Sequence, residues 1–488
     1  MNEKGKDLRI WYNVGDETNY PEEVLAMTSI AQNRESDQRE IGATLKKFIS
    51  DYGIAALLRQ CRAEKQKGVP AFDVFRYLLC LVFSDRSMYT QIVTGRFAEN
   101  FCKNTVYRFL SAVKTNWERL ILLLSERIIN RTIRPLTSKD RKDAFIFDDT
   151  LFSRTGGKKT ELCSRVFDHV SMKYRRGYRL LTLGWMDGNS FLPIAGRLLA
   201  SSDDKKIVGT KKQTDCRSLA GKRRKQAVSK APDVMLEMLK TAIRAGHHAK
   251  YVLFDTWFAS PKSILRIRRE CEMHTIAMIK RTSKVFYELD GKRMNIKQIF
   301  ASSRKRRGRS KYLLSVDVML TAREGNAVPA RIVCVRNRNN RKDWIAFLST
   351  DVSLEPEEIL RIYSKRWEIE VFFKTCKSMP HLGSECHSLS YDALNAHVAL
   401  VFVRYMLLSL QKRCNEDDRT IGELFLLMVD ELADTTFAHA MQLIVDIMLQ
   451  SVQQYFGLTD DQLIAFSRQF FDRLPTSYQH FLKAPAAA

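Results

Sequence analysis

The chain has 488 residues, of which 45% are hydrophobic, so it is long enough for two to four globular domains with sizeable cores. Its ten cysteines include no Cys-x-x-Cys pair, which is typical of reduced thiols in a cytosolic protein and argues against a disulfide-rich secreted domain. The N-terminus lacks the apolar segment of a secretory signal, and the apolar run Leu400–Leu410 is interrupted by Arg404, so no membrane span is expected.

The formal net charge of +25 is unevenly distributed along the chain. Residues 384–488 carry 13 acidic and 7 basic side chains, so the positive charge belongs to residues 1–383, where the surplus reaches +31. A surplus of that size is what a polyanion-binding surface needs, and nucleic acid is the favoured partner. A membrane surface ranks well behind, because no basic amphipathic anchor helix is evident.

Residues 1–140 are predicted to be helical. Apolar residues recur at helical period in Val74–Phe83 and in Asn104–Ile129, where Asn104 is a reasonable N-cap. Arg86–Asn100 would add one more helix between them. This region is compatible with a small helical DNA-binding unit, although helix spacing alone is a weak signal.

From residue 141 the pattern changes to short buried strands separated by helices. The predicted strands are Ala144–Asp149, Tyr178–Met186, Ser190–Leu199, Tyr251–Asp255 and Thr275–Ile279, and the predicted helices are Pro232–Ala245, Pro261–Cys271 and Pro356–Met379. The order β-β-β-α-β-α-β followed by a long helix is that of an RNase H-like domain. We therefore predict an α/β fold with a mixed-sheet core at 141–280 and 350–384.

Two further regions flank or interrupt this core. Residues 281–349 are predicted to be a β-rich insertion, and residues 385–488 a helical, acidic C-terminal region. Two basic clusters, within 205–225 and 304–311, are predicted to lie in a loop and in a turn. They are either solvated or in contact with a nucleic-acid backbone.

A polar stripe in 361–383 is the most informative feature of the chain. Its members recur at spacings of three, four, four and three, which keeps them on one helix face: Tyr363, Arg366, Glu370, Lys374 and Lys377. The opposite face would be buried through Ile369, Phe372 and Cys376. The simpler interpretation is a solvated face with i,i+4 ion pairs, but a lone carboxylate among cations also suits a site that holds a metal and grips phosphates.

The spacing Tyr-x2-Arg-x3-Glu-x6-Lys of this stripe resembles the motif around the third catalytic carboxylate of the IS4-family DDE transposases. The resemblance covers about residues 144–383 and is strongest in 361–383. It implies an RNase H-like catalytic core with an insertion before the carboxylate helix. It also implies that Tyr363, Arg366 and Lys377 contact phosphates near the cleaved bond, with Lys374 beside them.

Three acidic positions are candidates for one site. Asp148 or Asp149 ends the first predicted strand, Asp255 ends the fourth, and Glu370 lies mid-helix. In an RNase H-like sheet the first and fourth strands are parallel neighbours, so their carboxylates would converge with Glu370 and repel one another unless divalent cations bind. Carboxylate oxygens suit Mg²⁺ or Mn²⁺, two of which serve phosphodiester chemistry.

Alternatives remain at individual positions. An aspartate that follows a strand is often only a turn or cap residue, and Asp255 could serve the helix at Pro261 in that way. Family members carry an Asp-x-Thr or Asp-x-Ser pattern at the first position, which favours Asp148 with Thr150, and another alignment would choose Asp149. Paired buried acids are costly without a nearby cation.

The predicted function is a cytoplasmic bacterial transposase, associated with the nucleoid when bound to DNA. By the resemblance, it would bind terminal inverted repeats as a homodimer, cleave DNA with metal-bound water and join the freed 3′ end to target DNA. One rival is an RNase H-like nuclease that cuts without joining. The other is a DNA-binding protein with an inactive core, which the presence of Asp148, Asp255 and Glu370 disfavours.

Overall fold

The computed structural model describes residues 43–414, apart from 66, 85–86, 96, 98, 139–140, 155–157, 169–170, 307–309, 322–326, 338–339 and 341–342, together with 444–474 apart from 446 and 450. The chain divides into two compact units. One comprises Ile41–Met88 and Phe101–Glu431, and the other comprises Met1–Glu40, Tyr89–Asn100 and Leu432–Ala488. The first of these holds every candidate site residue.

The helices that precede the sheet are α1 Ala43–Asp51, α2 Ile54–Gln60, α3 Ala71–Leu81, α4 Met88–Val93, α5 Lys103–Leu110 and α6 Trp117–Ile128. The single helix predicted for Asn104–Ile129 is wrong, because α5 and α6 are separate and Cys102, not Asn104, is the N-cap of α5. The Asn116 side chain accepts a hydrogen bond from the Arg119 backbone N–H at 3.0 Å. This cap satisfies a free N–H and starts a second helix. Residues 1–42 of the predicted DNA-binding region lie outside the described residues.

Eleven strands form one mixed sheet within the described residues. They are β1 Ala144–Ser153, β2 Ser164–Asp168, β3 Lys173–Met186, β4 Phe191–Leu199, β5 Tyr251–Phe254, β6 His274–Ile279, β7 Phe286–Leu289, β8 Lys292–Asn295, β9 Leu314–Thr321, β10 Ala327–Arg336 and β11 Trp344–Ser349. The neighbours β4, β3 and β1 are antiparallel, whereas β1, β5 and β6 are parallel. This order, β4-β3-β1-β5-β6, is that of the RNase H-like fold, as predicted.

Two details of this core differ from the prediction. Strand β1 does not end at Asp149 but continues to Ser153, because its outer half pairs with β3 after its pairing with β5 has stopped. Strand β2 was not predicted, and it pairs with the first half of β3 at the edge of the sheet.

The remaining strands extend the same sheet beyond β6. Strand β11 pairs antiparallel with β6, and β10, β9, β7 and β8 follow in that order. Helix α10 Ile296–Ser302 follows β8 and begins with a capping box formed by Asn295 and Gln298. The predicted β-rich character of 281–349 is therefore confirmed, although β8, α10 and β11 were not anticipated.

The helices after β4 cover the sheet. They are α7 Leu219–Ala227, α8 Ala231–Arg244, α9 Pro261–Cys271, α11 Pro356–Ser364, α12 Trp367–Ser378 and α13 Tyr391–Cys414. The loop predicted through 205–225 is wrong in part, because α7 occupies its end. The Arg224 guanidinium in α7 is buried against Glu161 at 2.7 Å and Asp392 at 2.8 Å, so this arginine of the basic cluster is part of the core.

The long helix predicted for Pro356–Met379 is two helices, α11 and α12. Between them the backbone tightens, since Arg366 N–H bonds to the Tyr363 carbonyl at 2.9 Å and Ile369 N–H to the Arg366 carbonyl at 3.2 Å. Such i→i−3 bonds are those of a 3₁₀ turn. The predicted buried face of α12 is confirmed, because Ile369, Phe372 and Cys376 are fully buried.

Helix α13 is the central core helix of this unit. By length and composition it could cross a membrane, contrary to the sequence-based expectation, but 94% of its apolar window is buried inside the protein. Arg404 in its middle is fully buried and bonds to Glu385 at 2.6 Å. The other unit contains α14 Asp460–Arg473 and a small hydrophobic cluster of Val445, Leu449 and Phe471.

Candidate active site

The first two candidate carboxylates lie at the carboxyl end of adjacent parallel strands, Asp148 within β1 and Asp255 directly after β5. In the pairing of β1 with β5, Ile146 is opposite Leu253. Asp148 and Asp255 each lie two residues beyond this last pair, and they are close enough for the charge of Asp255 to act on Asp148. The carboxyl ends of parallel strands form the usual ligand edge of such sheets.

Asp148 and Asp149 project from opposite faces of β1, because successive side chains of a strand alternate. Asp149 forms a bidentate ion pair with the Arg179 guanidinium of β3, with Nε at 2.7 Å from Oδ2. Asp148 faces α12 instead. Only one aspartate of the pair is therefore directed toward the helix that carries Glu370.

Arg366 connects the first and third candidate carboxylates. Its Nη1 donates to Asp148 Oδ2 at 2.9 Å, and its Nη2 donates to Glu370 Oε1. The 3₁₀ turn before α12 presents the guanidinium at this point, four residues before Glu370. A residue predicted to contact phosphate thus pairs here with both carboxylates.

The pKa values of Asp148 and Asp255 are both raised, because both carboxyl groups are buried and lie near other carboxylates. Burial raises the pKa of Asp148 to about 7, with Arg366 opposing this shift and Asp255 adding to it. Burial also raises the pKa of Asp255, while the Trp257 backbone N–H at 2.9 Å and Arg366 oppose it. Burial lowers the pKa of Arg366, but Tyr363, Asp148 and Glu370 outweigh that effect and raise it above its ordinary value. Two aspartates that resist ionisation together need a nearby cation.

The carboxylate oxygens of this site are suitable ligands for a hard divalent cation. They are not, however, arranged around a single point where an ion could bind. Carboxylate oxygens on two strands and one helix are the ligands that Mg²⁺ and Mn²⁺ take. Within the part of the chain that the structure describes, no three acidic, histidine or cysteine side chains are gathered closely enough to hold one ion. The expected convergence of three oxygens is thus not met, because the Arg366 guanidinium lies between Asp148 and Glu370 and serves as their countercharge.

Comparisons with known proteins agree with this geometry at the level of a superfamily. The family model described as DDE superfamily endonuclease matches residues 91–315, and that described as archaeal putative transposase ISC1217 matches residues 220–413. The chain is similar to DDE-superfamily endonucleases and transposases. Asp148 and Asp255 lie within the first match, and Asp255 and Glu370 within the second. The narrower assignment to the IS4 family stays a prediction.

Other comparisons add little. No curated protein matches the chain. Among solved structures, the Drosophila P element transposase strand transfer complex aligns over 86% of this chain and 90% of that chain, at 10% sequence identity and a TM-score of 0.23. A TM-score of that size establishes no common fold.

The remaining members of the stripe differ in exposure. Lys377 donates from Nζ to the Thr150 hydroxyl at 2.6 Å, on the β1 face that carries Asp148. The Lys374 side chain is exposed on α12. The Tyr363 ring packs against Phe347, and its hydroxyl is buried without a hydrogen-bond partner of normal geometry among the described residues. Burial raises the pKa of Tyr363 to about 12.

Two exposed residues at this edge were not identified from the sequence. Trp257, two residues after Asp255, is 58% exposed, and Lys280, which follows β6, lies with Nζ 4.1 Å from the centre of its ring. The sequence signal was present, since both residues directly follow predicted parallel strands. Trp367, next to Arg366, is likewise 62% exposed. Exposed aromatic rings therefore lie close in sequence to Asp255 and Arg366, and Lys280 interacts electrostatically with Asp255.

Proposed function

We propose that this protein is a DDE transposase that binds terminal inverted repeats, cleaves DNA at the transposon ends and joins the freed 3′ ends to target DNA. The observation that carries the proposal is the position of Asp148 on β1 and of Asp255 directly after the parallel strand β5, with Arg366 linking Asp148 to Glu370 on the facing helix. Asp148 and Glu370 bond to one guanidinium, and Asp255 interacts with it electrostatically. A structural ion pair would need only one of them.

Asp148, Asp255 and Glu370 would hold Mg²⁺ or Mn²⁺, with Asp148 preferred to Asp149 because Asp149 pairs with Arg179 on the face of β1 directed away from Glu370. In phosphodiester chemistry, two such ions activate the attacking oxygen and stabilise the leaving 3′ oxygen. Arg366 supplies the countercharge while no divalent ion is bound. If these carboxylates held a cation instead, the Arg366 guanidinium would be available for bidentate contact with phosphate.

The other polar residues of this edge would bind and orient DNA. Lys374 and Lys377 offer point charges to phosphates, and Tyr363 offers a buried hydroxyl beside them. The exposed rings of Trp257 and Trp367 suit stacking against bases near the cleaved bond. The surplus of positive charge in residues 1–383 supports DNA as the partner. We place the protein in the cytoplasm and expect a homodimer when two ends are paired.

A strand-transfer assay tests the proposal. The DNA on either side of the coding region is searched for inverted repeats, and a labelled duplex with such a repeat at its end is incubated with supercoiled plasmid and Mg²⁺. Joined products are expected with the parent protein and absent with Glu370→Gln, which should still bind the duplex.

The outcomes separate the proposal from its rivals. Nicks without joined products would identify a nuclease of the kind named in the first family match. Binding without any cleavage would identify an inactive DNA-binding derivative. Loss of duplex binding in Glu370→Gln would count against a metal-binding role for Glu370.

A further inference from the structure

The hairpin formed by β2 and β3 creates a basic surface separate from the carboxylates. In its register, Arg165 lies directly opposite Arg176, and Val166 lies opposite Arg175. Like charges directly opposite each other across a strand pair are destabilising. Arg165 and Arg176 have no ion-pair partner among the described residues, so an anion from outside the protein is the natural countercharge.

A short 3₁₀ turn adds two lysines to the same surface. The bridge between Ser164 and Ile207 brings Asp204–Lys206 alongside β2. The Asp203 side chain fixes this turn by accepting a hydrogen bond from the Lys205 backbone N–H at 3.1 Å. A cavity of about 350 Å³ results, which we call the basic cleft; it is lined by Arg165, Tyr174, Arg175, Arg176, Lys205 and Lys206.

The charges of the basic cleft are largely uncompensated. Arg175 pairs with Asp168 at 3.2 Å. The other four cations form no ion pair with any residue that the structure describes, and all are exposed. Tyr174 is 64% exposed, with its ring edge-on to Phe167 at 5.3 Å. Cations around an exposed aromatic ring are the features that bind a nucleic-acid backbone.

Strand β3 links the basic cleft to the candidate active site. Arg176 lines the cleft, and Thr182, six residues further along β3, is the partner of Asp148. Six residues of strand span about 20 Å, which is about six base pairs of duplex at 3.4 Å each. DNA with its scissile phosphate at the carboxylates can therefore reach the cleft.

We propose that the basic cleft is a second contact surface, which grips the backbone of duplex DNA about six base pairs from the cleaved bond. This inference rests on the proposed function for the kind of DNA, but its test does not require cleavage. Contact with phosphates would give affinity and register without reading sequence. It would also neutralise the Arg165–Arg176 repulsion.

The test measures binding of the full-length protein to a labelled 30-base-pair duplex in EDTA, by fluorescence anisotropy, across a series of salt concentrations. The double variant Arg165→Ala/Arg176→Ala should bind more weakly, and its slope of log K against log salt should fall in magnitude by about 2, near 0.9 per phosphate contact. The variant Arg165→Lys/Arg176→Lys should keep the parent slope, because charge rather than packing is responsible.

A control variant removes two exposed positive charges from a different part of the same sheet. Lys292 in β8 and Lys297 in the first turn of α10 are exposed at the opposite edge of the same sheet. Lys292→Ala/Lys297→Ala should leave the slope unchanged, and thermal unfolding confirms that each variant is folded. An equal loss of slope in the control pair, or an unchanged slope in the cleft pair, would overturn the proposal. The proposed function is tested separately. If the parent protein cleaves DNA but Arg165→Ala/Arg176→Ala does not change the salt slope, only the role of the basic cleft is contradicted.

Discussion

Arg366 donates a hydrogen bond to Asp148 at 2.9 Å across 218 residues of sequence, and the same guanidinium reaches Glu370. The Arg366 guanidinium thus occupies the space between two carboxylates of the candidate active site. Since a guanidinium and a divalent ion would compete for the same carboxylates, binding of one implies displacement of the other. Arg366 is the residue on which metal loading and phosphate contact would both depend.

Replacing Arg366 with alanine should tighten divalent-ion binding and weaken DNA cleavage. Without the competing guanidinium, Mn²⁺ affinity of the DNA-free protein is expected to rise about tenfold, or about 1.4 kcal/mol. Isothermal titration calorimetry at pH 8.5, above the raised pKa of Asp148, measures this change. Arg361→Ala is the matched control, because Arg361 pairs with Glu358 at 2.6 Å on α11 and does not contact the carboxylates. Equal Mn²⁺ affinity in parent and Arg366→Ala proteins would contradict the competition.

Asp148 and Asp149 should separate into a ligand and a structural residue. Asp148→Asn is expected to reduce cleavage by at least a hundredfold with little change in stability, because a metal ligand is lost. Asp149→Asn breaks a charged, bidentate bond to Arg179 and should cost about 1–3 kcal/mol of unfolding free energy while cleavage persists. Cleavage assays and chemical denaturation of both variants give the comparison. The reverse pattern would assign the site to Asp149.

His247 should make the fold sensitive to mild acid. It is buried, accepts or donates a hydrogen bond with Ser125 at 2.9 Å, and burial lowers its pKa to about 4. The unfolded chain takes up a proton below about pH 6.5, whereas the folded protein does so only near pH 4. The free energy of unfolding should therefore fall by up to about 3 kcal/mol as the pH drops through this window.

Urea denaturation at several pH values measures this slope. His247→Gln should reduce it, whatever its effect on absolute stability, while His397, whose pKa burial also lowers to about 4, maintains part of it. His248→Gln, an exposed neighbouring change, should keep the parent slope. An unchanged slope in His247→Gln would assign the acid sensitivity to other groups.

The strands of the core could be predicted because they are short, apolar and bounded by turns or charges. Strand β5 and helix α9 lie where the pattern indicated, and α9 spans the predicted Pro261–Cys271. Strand β2 could not be recognised, since Ser164–Asp168 mixes charge and apolar residues at a sheet edge. The break between α11 and α12 could not be predicted from the sequence, because a 3₁₀ turn leaves the spacing of apolar residues close to that of a continuous α-helix.

The residue types of the candidate site followed from the sequence, but their pairing did not. Spacing put Arg366 and Glu370 on one helix face, and strand pairing put Asp148 beside Asp255. That Arg366 would bond to Asp148 depends on how α12 crosses β1, which is a tertiary relationship. The choice between Asp148 and Asp149 depends on which face of β1 meets that helix. The sequence alone does not specify either one.

Anomalous diffraction from a crystal grown with Mn²⁺ can locate a bound divalent ion and the Arg366 side chain together. We expect a peak within about 2.0–2.6 Å of carboxylate oxygens of Asp148, Asp255 and Glu370, with the Arg366 guanidinium turned away from Asp148. A crystal soaked to saturation that shows no peak there, with Arg366 still bonded to Asp148, would contradict this expectation.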